Sequence, residues 1–272
     1  MRQKNIIVTG GTDGIGLALV KKLLNENHYV YIIGKNYQKG NEVINNLKNS
    51  NLEFFQCDLS EKEEIKKLIK NLNNLPYIDI LINNVGSIFD KRILTSNGVE
   101  KTFALNHLSY FQLSLGLLEK LENSKNPRIV NVSSDAHKRY KIDINDLECG
   151  DNYSGWKAYC RSKLLNIFFT YSFKKEIKTK INSNCLHPGF VNSNFGNNNE
   201  NYYRFLINIL KNLFAISTEN ASLTPLHLAL DSQLKNTNAR YFSKLKEKKS
   251  NTESYNADLA NKIWIKSLEY IK

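Results

Sequence analysis

The chain has 272 residues, 41% of them hydrophobic and 24% charged, a balance that belongs to globular proteins. The formal charge is +12, but the lysines are spread along the chain among abundant asparagines, which argues against a nucleic-acid patch. The densest run, Lys244-Leu245-Lys246-Glu247-Lys248-Lys249, reads as a solvated turn or tail, and the positive field serves to speed the approach of an anionic cofactor. Four scattered cysteines (Cys57, Cys149, Cys160, Cys185) lack metal-ligand spacing, so buried, reduced thiols are expected and a metal site is not. There is no Pro/Gly/Ser-rich linker and no repeat, which predicts one domain over 1–272. With neither a signal-peptide apolar region nor a transmembrane run, a soluble cytoplasmic protein is expected.

In chain order, short apolar runs alternate with longer stretches of helical period. Strands are predicted at Ile6–Val8, Tyr29–Ile33, Glu53–Gln56, Ile78–Ile82, Arg128–Val132 and Ile181–Cys185, with a late one at Ala239–Phe242. Helices are predicted from Gly14, from about Tyr37, and over Glu61–Leu72, Asn97–Leu121, Tyr153–Ile177 and Glu219–Leu230. Strand interiors rich in Val, Ile and Leu suit a sheet covered on both faces. The fold class is therefore α/β, a single Rossmann-like doubly wound parallel sheet of about seven strands with helices on both faces. Ligands in such sheets sit beyond the carboxyl ends of the strands.

After the first strand comes Thr9-Gly10-Gly11-Thr12-Asp13-Gly14-Ile15-Gly16, then an apolar helix. Glycines allow a tight turn and close approach of backbone to a pyrophosphate, with the helix N-terminus supplying partial positive charge. The spacing is Gly-xxx-Gly-x-Gly, not the general Gly-x-Gly-x-x-Gly fingerprint. It resembles the short-chain dehydrogenase/reductase family. The resemblance implies that Gly10, Thr12, Asp13, Gly14, Ile15 and Gly16 line a dinucleotide and that Asp58-Leu59 contacts its adenine. It also matches Asn83-Asn84-Val85-Gly86 to the family's Asn-Asn-Ala-Gly segment, and Pro188, Gly189, Val191 and Ser193 to its turn beside the nicotinamide.

After the second strand an acid would hold the ribose of NAD, whereas a cation accepts the 2′-phosphate of NADP. The chain reads Ile32-Ile33-Gly34-Lys35-Asn36, with no acid and with Lys35 in place, so NADP(H) is expected rather than NAD(H).

Tyr159 and Lys163 fall at i and i+4 of a helix, on one face. Hydride transfer to a carbonyl needs a proton for the developing alkoxide, and the reverse needs a base. A phenol of pKa about 10 must fall by ~3 units, or about 4 kcal/mol, to act near neutrality. A lysine charge ~5 Å away gives roughly 3 kcal/mol at an effective dielectric near 20. Ser133 and Ser134 point to opposite sides of an extended chain, and the family pattern selects Ser134 to orient the substrate oxygen. By the same resemblance Lys163 also binds the nicotinamide ribose, and Asn106 holds a water leading from it to solvent. Asn106 also suits a structural bond inside its helix.

Within the family, retinol dehydrogenase-like members are the nearest in pattern. The matching text is Arg128-Ile129-Val130-Asn131-Val132-Ser133-Ser134-Asp135-Ala136-His137, then Ala158-Tyr159-Cys160-Arg161-Ser162-Lys163-Leu164 and His187-Pro188-Gly189. Substrate choice is assigned to a lid segment over about 190–217. Its apolar stripe (Phe205, Leu206, Ile209, Leu210, Leu213) suits core packing first, then an apolar lid, then peripheral membrane contact. The expected activity is NADP(H)-dependent interconversion of a carbonyl and an alcohol on an apolar small molecule, retinoid-, steroid- or lipid-aldehyde-like, by a monomer or homodimer. Two alternatives stand beside it: reduction of an activated double bond on the same scaffold, and non-catalytic NADP(H) binding.

Overall fold

A computed structural model of the chain describes residues 2–150, 152–189 and 217–272. Its eight-stranded sheet has the order β3-β2-β1-β4-β5-β6-β7-β8. The strands are β1 (Asn5–Thr9), β2 (Tyr29–Gly34), β3 (Leu52–Gln56), β4 (Ile80–Asn83), β5 (Arg128–Val132), β6 (Asn182–His187), β7 (Tyr241–Ser243) and β8 (Lys246–Lys248). Every pairing is parallel except β7 with β8. The order reverses between β1 and β4, which opens a crevice at their carboxyl ends.

Alternation along the strands divides the core. Ile7, Leu81 and Ile129 point to one face, under the helices Lys62–Leu72, Ser109–Gly116 and Gly155–Ile177. Ile6, Val8, Ile80, Ile82 and Val130 point to the other, under Gly14–Asn25 and Leu223–Leu230. Both faces are covered, as the near-continuous apolar strands predict.

The strand count is one more than expected. The run over 244–249 is the tip and outer strand of a hairpin: Lys244 and Leu245 turn the chain with φ of 52° and 64°, and Lys246–Lys248 pairs back on β7. All three residues of β8 are exposed, so no apolar signal marked it, and its lysines blunt a free sheet edge.

The helix expected over 97–121 opens only at Lys101, because the Glu100 carboxylate caps the amides of Thr102 and Phe103 at 2.7 Å each. It widens to a π turn over Ala104–Leu108, resumes over Ser109–Gly116, and is followed by a short helix at Leu118–Glu122. The last expected helix is two, Thr218–Ala221 and Leu223–Leu230.

A C-terminal helix, Ala257–Ile271, adds to the expected elements. Its Trp264 packs on Phe111 (4.7 Å between ring centres) and Phe169 (6.0 Å), so it covers the outer face of the helices over 109–116 and 155–177. The four cysteines are buried and unpaired. Among the described residues no helix is long and apolar enough to cross a membrane. The lid segment, its apolar stripe, Val191 and Ser193 lie outside the described residues.

Candidate active site

At the end of β1, Gly10 turns the chain in a left-handed conformation (φ 67°), and Gly14 starts the next helix in another (φ 54°). Asp13 caps that helix, its carboxylate accepting from the Gly14 amide at 2.7 Å. At Gly16 a Cβ would lie 2.1 Å from the Gly10 carbonyl oxygen, so the helix rests directly on the turn. Thr12 leans over the end of β2, where a Cβ on Gly34 would come within 3.0 Å of its Oγ1.

The segment after β4 is tied to this turn. The Asn84 side-chain amide donates to Thr9 O at 2.9 Å, and the backbone amides of Asn84 and Val85 donate to Thr9 Oγ1 at 2.8 and 3.0 Å. Thr9 is fully buried and joins both halves of the cradle. Its sequence signal is a hydroxyl on the last position of the first strand.

Lys35, just past β2, is ion-paired with Asp58, just past β3. Burial raises the Asp58 carboxyl, but hydrogen bonds from Lys35 and Ser60 outweigh this and hold it below the usual range. Lys35 itself is largely exposed. The Leu59 side chain enters the core beside Ile65 and Leu68. Gly189, after β6, has φ of 102°, a conformation that favours glycine there. These glycines, the helix N-terminus and the exposed cation fit a nicotinamide dinucleotide. Gly86 adds a close approach, since a Cβ there would sit 3.0 Å from Lys163 Nζ.

Asn106, Ser134, Tyr159 and Lys163 come together beside Gly86. Ser134 follows β5 in extended backbone, and its Oγ accepts from the Ala136 amide at 3.2 Å. The Ser134 side chain lies beside the Tyr159 phenol and favours its ionised form. Ser133 turns the other way, its hydroxyl donating to Lys163 O at 2.7 Å. Lys163 Nζ donates to Val132 O at 3.1 Å. Asn106 lies in the π turn; its Oδ1 accepts from Ser87 N at 2.9 Å, and its Nδ2 donates to Ser87 O at 2.8 Å and to Ser162 Oγ at 3.0 Å. The Asn106 carbonyl accepts from Asn166 Nδ2 at 2.8 Å. Its observed work is to lock the Gly86–Ser87 backbone to the helix carrying Tyr159.

Charge in this cluster differs from the simple pairwise expectation. Burial pushes the Tyr159 phenol up to about 12, against which Ser134 pulls down, and burial lowers Lys163 to about 7. A low-dielectric site disfavours both the phenolate and the ammonium, so desolvation offsets the attraction between them. Around the phenol lie Ile88, Ala136 and Cys160, with the exposed Trp156 ring stacked 5.9 Å away.

Residues 4–203 match the family described as short chain dehydrogenase. Human polyprenol dehydrogenase is 32% identical over 97% of this chain and 83% of its own length. Mouse retinol dehydrogenase 12 is 33% identical over 98% of this chain and 86% of its own. A solved structure from Mycobacterium paratuberculosis shares the fold, with a TM-score of 0.80 at 22% identity over 99% of this chain and 93% of that one. The chain belongs to the short-chain dehydrogenase family, oxidoreductases that use a nicotinamide cofactor. Within it, the chain is similar to retinol and polyprenol dehydrogenases.

Proposed function

We propose that the chain interconverts a carbonyl and an alcohol on an apolar small molecule, with NADP(H) as cofactor and Tyr159 as proton donor and acceptor. The observation that carries this reading is the convergence of the Tyr159 phenol, the Ser134 hydroxyl and Lys163 beside Gly86. The nicotinamide, when bound, donates or accepts a hydride. Tyr159 Oη gives its proton to the alkoxide oxygen in reduction and takes it back in oxidation. Ser134 Oγ orients that oxygen and stabilises its developing charge. Lys163 holds the nicotinamide ribose, and its charge favours the phenolate. Gly10, Thr12, Asp13, Gly14, Ile15 and Gly16 cradle the pyrophosphate; Asn84, Val85, Gly86, Pro188 and Gly189 border the nicotinamide half.

Two features support the finer assignments. Lys35 follows β2 with no acid replacing it, which suits a 2′-phosphate. The apolar wall of Ile88, Ala136 and Trp156 around the phenol suits a hydrocarbon substrate. Retinol and polyprenol, the substrates in the relatives' names, are of that kind.

The test is a screen following NADPH absorbance with retinal, a polyprenyl aldehyde, a steroid ketone and a polar sugar aldehyde, followed by product analysis. Turnover of the apolar carbonyls to alcohols is expected, and Tyr159→Phe should abolish it while leaving NADPH binding intact. Preference for the polar aldehyde, a product that keeps its carbonyl and loses a double bond, or a Tyr159→Phe variant retaining most turnover would each overturn the reading.

A further inference from the structure

Behind Ser134 lies a buried histidine that the proposed chemistry does not use. His137 is fully buried on the 3₁₀ turn Asp135–Arg139, and both its ring nitrogens are engaged. Nδ1 lies 2.6 Å from the Ser134 carbonyl oxygen, and Nε2 lies 3.1 Å from the backbone nitrogen of Asn251, far along the chain. A backbone amide can only donate, so Nε2 must carry a lone pair. The proton of the neutral ring then sits on Nδ1, and Nδ1–H donates to Ser134 O. A second proton would set two donors against each other, and burial accordingly lowers His137 to about 4.

The ring is braced on its remaining sides. Tyr241 of β7 meets it edge-on at 4.9 Å, and the Tyr241 hydroxyl donates to Asp135 at 2.7 Å. The Asn251 side-chain amide donates to the backbone oxygens of His137 and Tyr140, each at 3.2 Å. The Ser134 carbonyl accepts a second bond from the His137 amide at 3.1 Å. Ser134 thus has its carbonyl clamped by one residue, while its side chain lies beside the Tyr159 phenol. The two bonds fix the Ser134–Asp135 peptide plane, and with it the course of the chain that carries the hydroxyl.

We infer that His137 is a positioning residue: a neutral imidazole, proton on Nδ1, that ties the Ser134 backbone to the C-terminal segment at Asn251 and so aims the Ser134 hydroxyl. The inference rests on the carbonyl–alcohol reading of the same site. It implies that the C-terminal segment, distant from the crevice in sequence, sets the geometry of the reacting oxygen through this ring.

Two amide substitutions separate the halves of the contact. His137→Asn places an N–H near the position of Nδ1, facing Ser134 O; His137→Gln places its carbonyl near the position of Nε2, facing Asn251, and leaves Ser134 O without that donor. With retinal and NADPH, His137→Asn should keep kcat within about 3-fold of wild type while His137→Gln loses about 10-fold or more, a small misplacement of a polar group being enough for that. Both should bind NADPH as wild type does and melt at similar temperatures. Equal kcat in the two variants, or a loss matched by weaker NADPH binding, overturns the assignment. Independently of activity, ¹⁵N NMR of the histidine-labelled wild type should show His137 protonated on Nδ1 and unchanged from pH 5.5 to 9. A ring protonated on Nε2 sinks the inference even if the variants do not fold. A wild type that reduces no carbonyl yet shows the Nδ1 tautomer indicts the functional reading and leaves the clamp on Ser134 in place.

Discussion

Lys163 Nζ lies 5.6 Å from the centre of the Tyr159 ring and 5.7 Å from that of Tyr110, with the Val132 carbonyl as its hydrogen-bond acceptor at 3.1 Å. The ammonium is close enough to favour a phenolate, but the same burial that would make the attraction strong also lowers the lysine to about 7 and raises the phenol to about 12. Near neutrality the phenol is therefore neutral in the cofactor-free protein, and the lysine is only about half charged.

The first prediction follows from that balance. In cofactor-free protein, ultraviolet titration against Tyr159→Phe should show no ionisation of this phenol below about pH 11. With saturating NADP, kcat for alcohol oxidation should instead rise with pH and plateau well below 10, because oxidation needs the phenolate. Lys163→Met should move that rise up by about 2 units if the lysine charge supplies roughly 3 kcal/mol. An unmoved profile in an active variant would mean the tuning comes from another cation.

Lys163 should also weaken the fold it sits in. Its folded pKa of about 7 lies below the 10.5 of an ordinary lysine, so between these values the unfolded chain binds a proton that the folded chain does not. Stability should accordingly rise with pH across that window and be lowest, from this group, below about 7. Lys163→Met removes the penalty. Chemical denaturation at pH 7 without cofactor should show the variant more stable by about 2 to 4 kcal/mol, with the gap closing toward pH 10. A variant less stable than wild type at pH 7 would refute it.

Lys35 is already held at the crevice by Asp58, so little ordering remains for it to meet a 2′-phosphate. Isothermal titration should find NADPH bound more tightly than NADH. Lys35→Ala should weaken NADPH about 10- to 100-fold, as expected for one charge-assisted hydrogen bond, and leave NADH unchanged. Equal affinities in wild type would remove the NADP(H) assignment.

The turn after β1 should tolerate no side chain at its helix contact. A Cβ on Gly16 would lie 2.1 Å from the Gly10 carbonyl oxygen, which is backbone and cannot rotate aside. Gly16→Ala should lower the melting temperature and abolish NADPH binding together, read by calorimetry and fluorescence. A variant that binds NADPH normally would show that the helix and the turn move independently.

Much of the site is legible in the residues themselves. Glycines after the first strand, the i and i+4 pair Tyr159 and Lys163, and the alternation of Ser133 and Ser134 are all local patterns. Each lies where the structure has it, with Ser133 turned back to Lys163 O and Ser134 toward the phenol. Local periodicity was also enough to find β1 to β7, of which β1, β4 and β5 are buried throughout. It could not register β8, whose exposed Lys-Glu-Lys has no buried face, and it ran past Glu100, where a cap rather than a break in period starts the helix.

What the chain by itself determined is the alternation of strands and helices and the types of residue at the strand ends, because backbone conformation and side-chain spacing are short-range properties. Only the tertiary structure decided that Thr9 joins the two loops of the cradle, that Lys35 pairs with Asp58, that Leu59 turns into the core, and that Asn251 reaches His137 behind Ser134. Packing also decided the charge of the reactive pair. Burial by the surrounding elements shifts the Tyr159 phenol and the Lys163 amine in opposite directions, and no local spacing of a phenol and an amine carries that desolvation.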